Sequence, residues 1–208
     1  MAGVIQDKGG AGCVGSEIFG FLDRTLLKTC RKHAKTQVQR EYYDGQEGAH
    51  GISFQSVVLP NGIIGDVSGP APGGSDPSDL PRKTELNSRL AAVQEGKPFQ
   101  GKVHGDSACG NMSHISSGFE GANLSDAERA YNTDLATARL GAVGQVEKIV
   151  QMFPFMDVQT NHKVMLSPIG KYYTIAALLT NAHTTCYGCP TSTHFGMAPP
   201  TLEEYFNN

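Results

Sequence analysis

Long apolar runs are missing from this 208-residue chain: no stretch of about 18 consecutive apolar residues occurs, which argues against a membrane span. The first eight residues, MAGVIQDK, lack a basic region followed by an apolar stretch, so no secretory leader is expected and a nuclear or cytoplasmic location is. Cysteine is scarce, odd in number at five and loosely scattered, a pattern that fits a reducing compartment better than a disulfide framework. No internal repeat, no Ser/His/Asp constellation and no phosphate-cradling loop stands out, since "GGAG" at residues 9–12 has no P-loop lysine after it. Charge is thin as well, and a net charge of -3 offers nucleic acid no overall attraction.

What is present suits one folded domain with a real core, preceded by a Gly-rich, flexible N-terminus over 1–15; the domain itself spans 16–208. Residues 24–40 carry Arg24, Lys28, Arg31, Lys32, Lys35 and Arg40 with no acid among them. Such a run can follow a DNA backbone, and it also fits a solvated loop.

Along the chain, an apolar run through Phe19, Phe21 and Leu22 predicts a strand with Asp23 at its mouth, followed by the basic segment. Two β-branched runs around Pro60-Asn61-Gly62 predict a hairpin. Gly, Pro, Ser and Asp crowd residues 69–81, which predicts a loop. Leu86, Leu90 and Val93 stand at helical spacing, and Gly96 and Pro98 end that helix. "FQGKVHGDSACG" (99–110) predicts a short strand running into a second strand-end carboxylate, Asp106. Ser125 and Glu128 form a capping-box pattern that opens a long helix with Tyr131, Leu135, Ala138, Ala142, Val146, Ile149 and Phe153 on one face; Gly141 and Gly144 weaken it and Pro154 closes it. A further helix is expected from about Ser167, capped by that serine with Pro168 first, and then an extended, docked tail from Tyr187.

If the first and fourth strands pair in parallel, Asp23 and Asp106 leave the sheet together. That expectation gives an α/β fold, a ribonuclease H-like mixed sheet of about five strands flanked by helices. Two such aspartates and a helix-borne glutamate are the minimal cradle for two divalent ions such as Mg²⁺ or Mn²⁺, which together can drive phosphodiester cleavage.

The stretches "GFLDRT", "HGISFQSVVLPNGIIGDVSGP", "GDSACG" and "NHKVMLSPIGKYYTIAALLTNAHT", with the closing "PPTLEEYF", resemble the DDE superfamily endonuclease domain of PIF/Harbinger-type transposases, from about Ser16 to the C-terminus. The resemblance implies that Asp23, in a Phe-x-Asp-Gly-Thr motif, is the first catalytic acid and that Asp106, in a Gly-Asp-x-x-Tyr motif, is the second. It implies DNA as substrate. It also implies a third acid in an Arg-x-x-Val-Glu motif, but counting from Arg139 that position holds Val143. Glu147, one helical turn on, is the candidate substitute for catalysis and metal binding.

Other departures follow. Gln46, Glu47 and Gly48 replace a His-Lys-Arg run, "PGGSD" replaces a basic loop, Cys109 stands near the tyrosine position, and Arg24 replaces the glycine after Asp23, where it is expected to ion-pair with that acid. The resemblance therefore implies a metal-dependent endonuclease impaired by loss of its third acid, with an inactive remnant binding DNA or protein as the alternative. The family places a DNA-binding helical region ahead of the nuclease domain. Fifteen residues cannot hold one, so target choice is expected from a separate partner protein or a missing segment.

Asp66 and Asp76 are read as turn and loop acids, and His50 and His104 as strand or hairpin histidines. His183, Cys186, Cys189 and His194 nominally supply four zinc ligands, but His183 falls within a helix and the resemblance contains no paired cysteines.

Overall fold

The computed structural model describes residues 3–5, 17–31, 36–76, 79, 85–106, 109–156, 162–164 and 166–207. Its centre is the strand β1 (Ile18–Lys28). Because side chains alternate across a strand, Phe21, Asp23, Thr25 and Leu27 face one side and Leu22, Arg24 and Leu26 the other. Asp23 is not at the strand mouth: Thr25, Leu26 and Leu27 continue the pairing five residues beyond it, up to Lys28 opposite Gly51. The segment expected as a basic loop is therefore strand up to Lys28, and a short helix α1 (Thr36–Tyr42) follows.

Strand β2 (Tyr43–Asp44) pairs with the first residues of β3 (Ala49–Val58), and β3 lies antiparallel to both β1 and β4 (Ile64–Pro72). The β3–β4 hairpin turns where expected, with Gly62 at a φ of 81° that favours glycine, and β4 runs on into the stretch read as loop. After α2 (Leu86–Gln94), the short β5 (Lys102–His104) lies parallel to β1, and β6 (Ile115–Ser116) parallel to β5. The order β2-β3-β1-β5-β6, with β4 also on β3, is a six-stranded mixed sheet of ribonuclease H-like form.

Helices cover both faces. On α2, Leu86 and Leu90 pack against Leu22, Val57, Val103 and Ile115. Val93, placed on the same face by its spacing, is 64% exposed. Gln94 is buried instead, and its amide donates to the Gly101 carbonyl at 3.0 Å. The opposite face receives α3 (Asp126–Met152) and α4 (Ile169–Tyr187). The capping box forms: Ser125 Oγ accepts from the Glu128 amide and Glu128 Oε2 accepts from the Ser125 amide. Leu135, Ala138, Ala142, Val146 and Ile149 are all buried, and each such Leu, Val or Ile is worth roughly 1.5–3 kcal/mol of burial.

Gly141 has a packing reason, since a Cβ there would strike the His194 ring. Ser167 does not cap α4; Pro168 is its N-cap, and Ser167 Oγ accepts from the Lys163 amide at 3.2 Å. The tail forms two short helices, α5 (Pro190–Phe195) and α6 (Leu202–Asn207), rather than an extended segment. At the other end Ile5 is fully buried among Phe21, Leu135 and Ala138.

Arg24 does not meet Asp23. Its position on the other face of β1 sends Nη2 to Asp44 Oδ2 at 2.6 Å, Ser53 Oγ at 2.7 Å and the Gly73 carbonyl at 3.0 Å, which ties β1, β2 and β3 to the end of β4. Burial pushes the Asp44 carboxyl up, but the Glu47 amide, the Arg24 guanidinium and the Gln46 amide outweigh it and hold the carboxyl below its ordinary value. A carboxyl depressed on folding stabilises above its unfolded value and loses that contribution as pH falls through the folded one. Asp44→Ala is expected to lower the urea-unfolding free energy by roughly 3 kcal/mol at neutral pH, because it strands a covered guanidinium, and the deficit should shrink in acid. A loss below about 0.5 kcal/mol, the ordinary surface value, would show that Arg24 does not anchor this corner.

Candidate functional site

The parallel pairing of β1 and β5 builds the site. Phe21 is registered with His104, so Asp23 and Asp106 each lie two residues beyond the last registered pair, side by side at the rim where β5 ends. From above, α3 delivers Arg139. Its Nη2 donates to Asp23 Oδ1 at 3.1 Å and its Nη1 stands 4.0 Å from Asp106 Oδ2. The Asp23 side chain is only 18% exposed, that of Asp106 51%.

Burial raises the Asp23 carboxyl above its ordinary value. The Arg139 charge and hydrogen bond and the Arg24 amide offset this only in part, and the like charge of Glu147 adds to it. His104, buried, is held below its ordinary value by burial first and by the Arg139 charge. It stays neutral and donates from Nδ1 to the Ser116 carbonyl at 3.0 Å. Beside them the Cys109 thiol is pushed up to about 11, chiefly by burial and then by the Asp106 charge, so it stays protonated and unreactive. A cleft of about 480 Å³ opens next to the pair, lined by His104, Asp106, Ser117, Phe119, Asn132 and Arg139.

The remaining sequence-derived candidates are not paired with the two acids, although the like charge of Glu147 acts on Asp23. Glu147 is an exposed residue of α3, eight residues and about 12 Å along the axis from Arg139. Val143 lies on α3 midway between them. Arg24 is committed to Asp44 inside the sheet. Lys28 is exposed at the far end of β1, 4.0 Å from Glu47, and lies about 16 Å along the strand from Asp23. Arg31 is exposed and donates twice to Gln39 Oε1; Arg40 is exposed on α1. Lys32 and Lys35 lie outside the described residues. Cys186 is exposed, whereas the buried Cys189 caps α5, its Sγ accepting from the Ser192 amide. Asp66 is paired with Arg89 at 2.9 Å.

The chain matches the family of DDE superfamily endonucleases over residues 22–181, and it belongs to that family. Comparison with curated proteins and with solved structures returned no match. The chain is thus a DDE-type, transposase-derived nuclease domain by descent. Among the described residues no helix is long and apolar enough to cross a membrane.

Divalent ions are the usual cofactors of this superfamily. The donor set here does not fit a two-ion centre. Two ions need oxygen ligands near 2.0–2.1 Å and at least one bridging carboxylate. Here both acids share a guanidinium, and among the described residues no three His, Cys, Asp or Glu side chains group as metal ligands.

Arg139 is the residue that sequence reasoning used only as a counting mark. The signal was available, since a cation at 139 falls between Leu135 and Ala142 on the buried stripe of α3 and must meet acids there.

A carboxyl raised on folding binds its proton more tightly in the native state. Its contribution to stability is full below its unfolded value and is lost as pH rises through the folded one. Asp23→Asn is therefore expected to gain in Tm on the wild type as the pH rises above about 4, the ordinary carboxylate range. A variant that instead falls further behind as the pH rises would show that the Arg139 pairing outweighs burial.

Proposed function

We propose that this is a PIF/Harbinger-type transposase domain that engages DNA through its backbone but has lost efficient phosphodiester cleavage. The observation that carries the reading is the state of the acid site: Asp23 and Asp106 lie together at the sheet rim, yet both face the Arg139 guanidinium, and Val143 stands where the third acid is expected. In an active relative, Mg²⁺ or Mn²⁺ held by three acids supplies the charge that activates the attacking oxygen and steadies the leaving one. Glu147 is exposed on α3 and its like charge acts on Asp23, but among the described residues it does not group with the two acids as a third metal ligand.

Support for DNA as the partner comes from Lys28, Arg31 and Arg40, exposed cations on β1, after it and on α1. Lys32 and Lys35 belong to the same basic stretch of sequence. Contacts of this kind reach phosphates and carry no sequence information, so target choice falls to a separate DNA-binding partner protein or to a further segment of the same protein.

Supercoiled plasmid incubated with Mg²⁺ or Mn²⁺ should remain uncut while gel shifts at low salt show binding. Lys28→Ala combined with Arg40→Ala should reduce the salt slope of that binding by about 2. Metal-dependent nicking that disappears in Asp106→Asn would restore the endonuclease reading, and the absence of any gel shift would remove DNA as the partner.

A further inference from the structure

We infer that Arg139 is the resident cation of the acid pair: its guanidinium stands where Asp23 and Asp106 would otherwise share a divalent ion, and it keeps the pair closed to metal. The inference rests on the reading above only for the descent of the two acids. Its physical content is separate and concerns what occupies the space between them.

Three observations carry it. The planar fork uses one nitrogen for each acid, Nη2 at 3.1 Å from Asp23 and Nη1 at 4.0 Å from Asp106, so a single group spans the pair. The arginine cannot vacate the position cheaply. It is anchored on α3 between the fully covered Leu135 and Ala142, its side chain is only 24% exposed, and its Nε is buried with no partner among the described residues. A guanidinium also cannot make way by losing its proton. Finally, two carboxylates and one guanidinium leave a single net negative charge at the pair, Val143 adds none, and the further negative charge that acts on Asp23 belongs to the exposed Glu147. Mg²⁺ gives up its water reluctantly and needs more negative charge than that. An ion entering here would have to expel a covered cation and leave it without a partner, which is costly.

The closure can be read without any DNA. Mn²⁺ alone is titrated into the full chain and free Mn²⁺ is followed by electron paramagnetic resonance, with circular dichroism checking that each variant is folded. The wild type should show no saturable site below millimolar Mn²⁺. Arg139→Leu should gain one site at least about tenfold tighter, and the gain should vanish when Asp106→Asn is added. Arg139→Lys, which keeps the charge, should stay closed. If the leucine variant does not fold, Arg139→Gln takes its place. Amide resonances offer a reading on the wild type itself: Mn²⁺ should leave Gly105 and Asp106 unbroadened.

Saturable wild-type binding that Asp106→Asn weakens, selective broadening at those two amides, or a folded Arg139→Leu protein that gains no site would each overturn the inference. Nicking of plasmid without a Mn²⁺ site would sink the proposed function and leave the resident cation standing. Mn²⁺ binding without nicking would do the reverse.

Discussion

The parallel register between β1 and β5 is the constraint on which the rest depends. It makes two acids more than eighty residues apart into neighbours, because equal offsets from a shared pair, Phe21 with His104, bring both chains to one rim. A slip of one residue would turn every β1 side chain to the opposite face, sending Asp23 towards α2 and Arg24 into the helical layer of α3 and α4. Register is strongly specified here, since both faces of β1 are buried and its neighbour β3 has Phe54 stacked on Tyr173 at 4.2 Å.

Around that pair the electrostatics are those of a site in balance rather than one waiting for charge. Burial opposes ionisation of Asp23 and Arg139 supports it, burial being the larger of the two. The neighbouring His104 and Cys109 are both pressed towards their neutral forms by the same covering. A centre built for two dications is arranged in the opposite sense, with surplus negative charge that the metal completes. On the proposed reading, Val143 withholds a third carboxylate while Arg139 brings positive charge to the two that remain.

Much of the fold is legible in the residues. The hairpin at Asn61-Gly62, the capping box at Ser125 and the buried stripe of α3 follow from local chemistry that the rest of the chain does not override. What escaped the sequence has specific causes. The extent of β1 escaped because Arg24 interrupts an apolar run, and only long-range partners, Asp44 and Ser53, make a cation acceptable inside a sheet. The exposure of Val93 against burial of Gln94 depends on the loop at Gly101, which local periodicity does not see. The two acids of the site were marked by motif. The arginine between them entered only as the first residue of the third-acid motif, and its pairing role carried its signal in helical spacing.

The stacking of Phe195 on Phe21, with ring centres 6.0 Å apart, bears on where this domain ends. The family match closes at residue 181, yet Phe195 packs with α3 on the face of β1 that carries Asp23, against Phe21 two positions before that acid, and His194 fills the notch left by Gly141. The last helices are thus a keystone of the nuclease core rather than an appendage. A fragment cut at the family boundary would uncover Phe21 on the same face of β1 that carries Asp23.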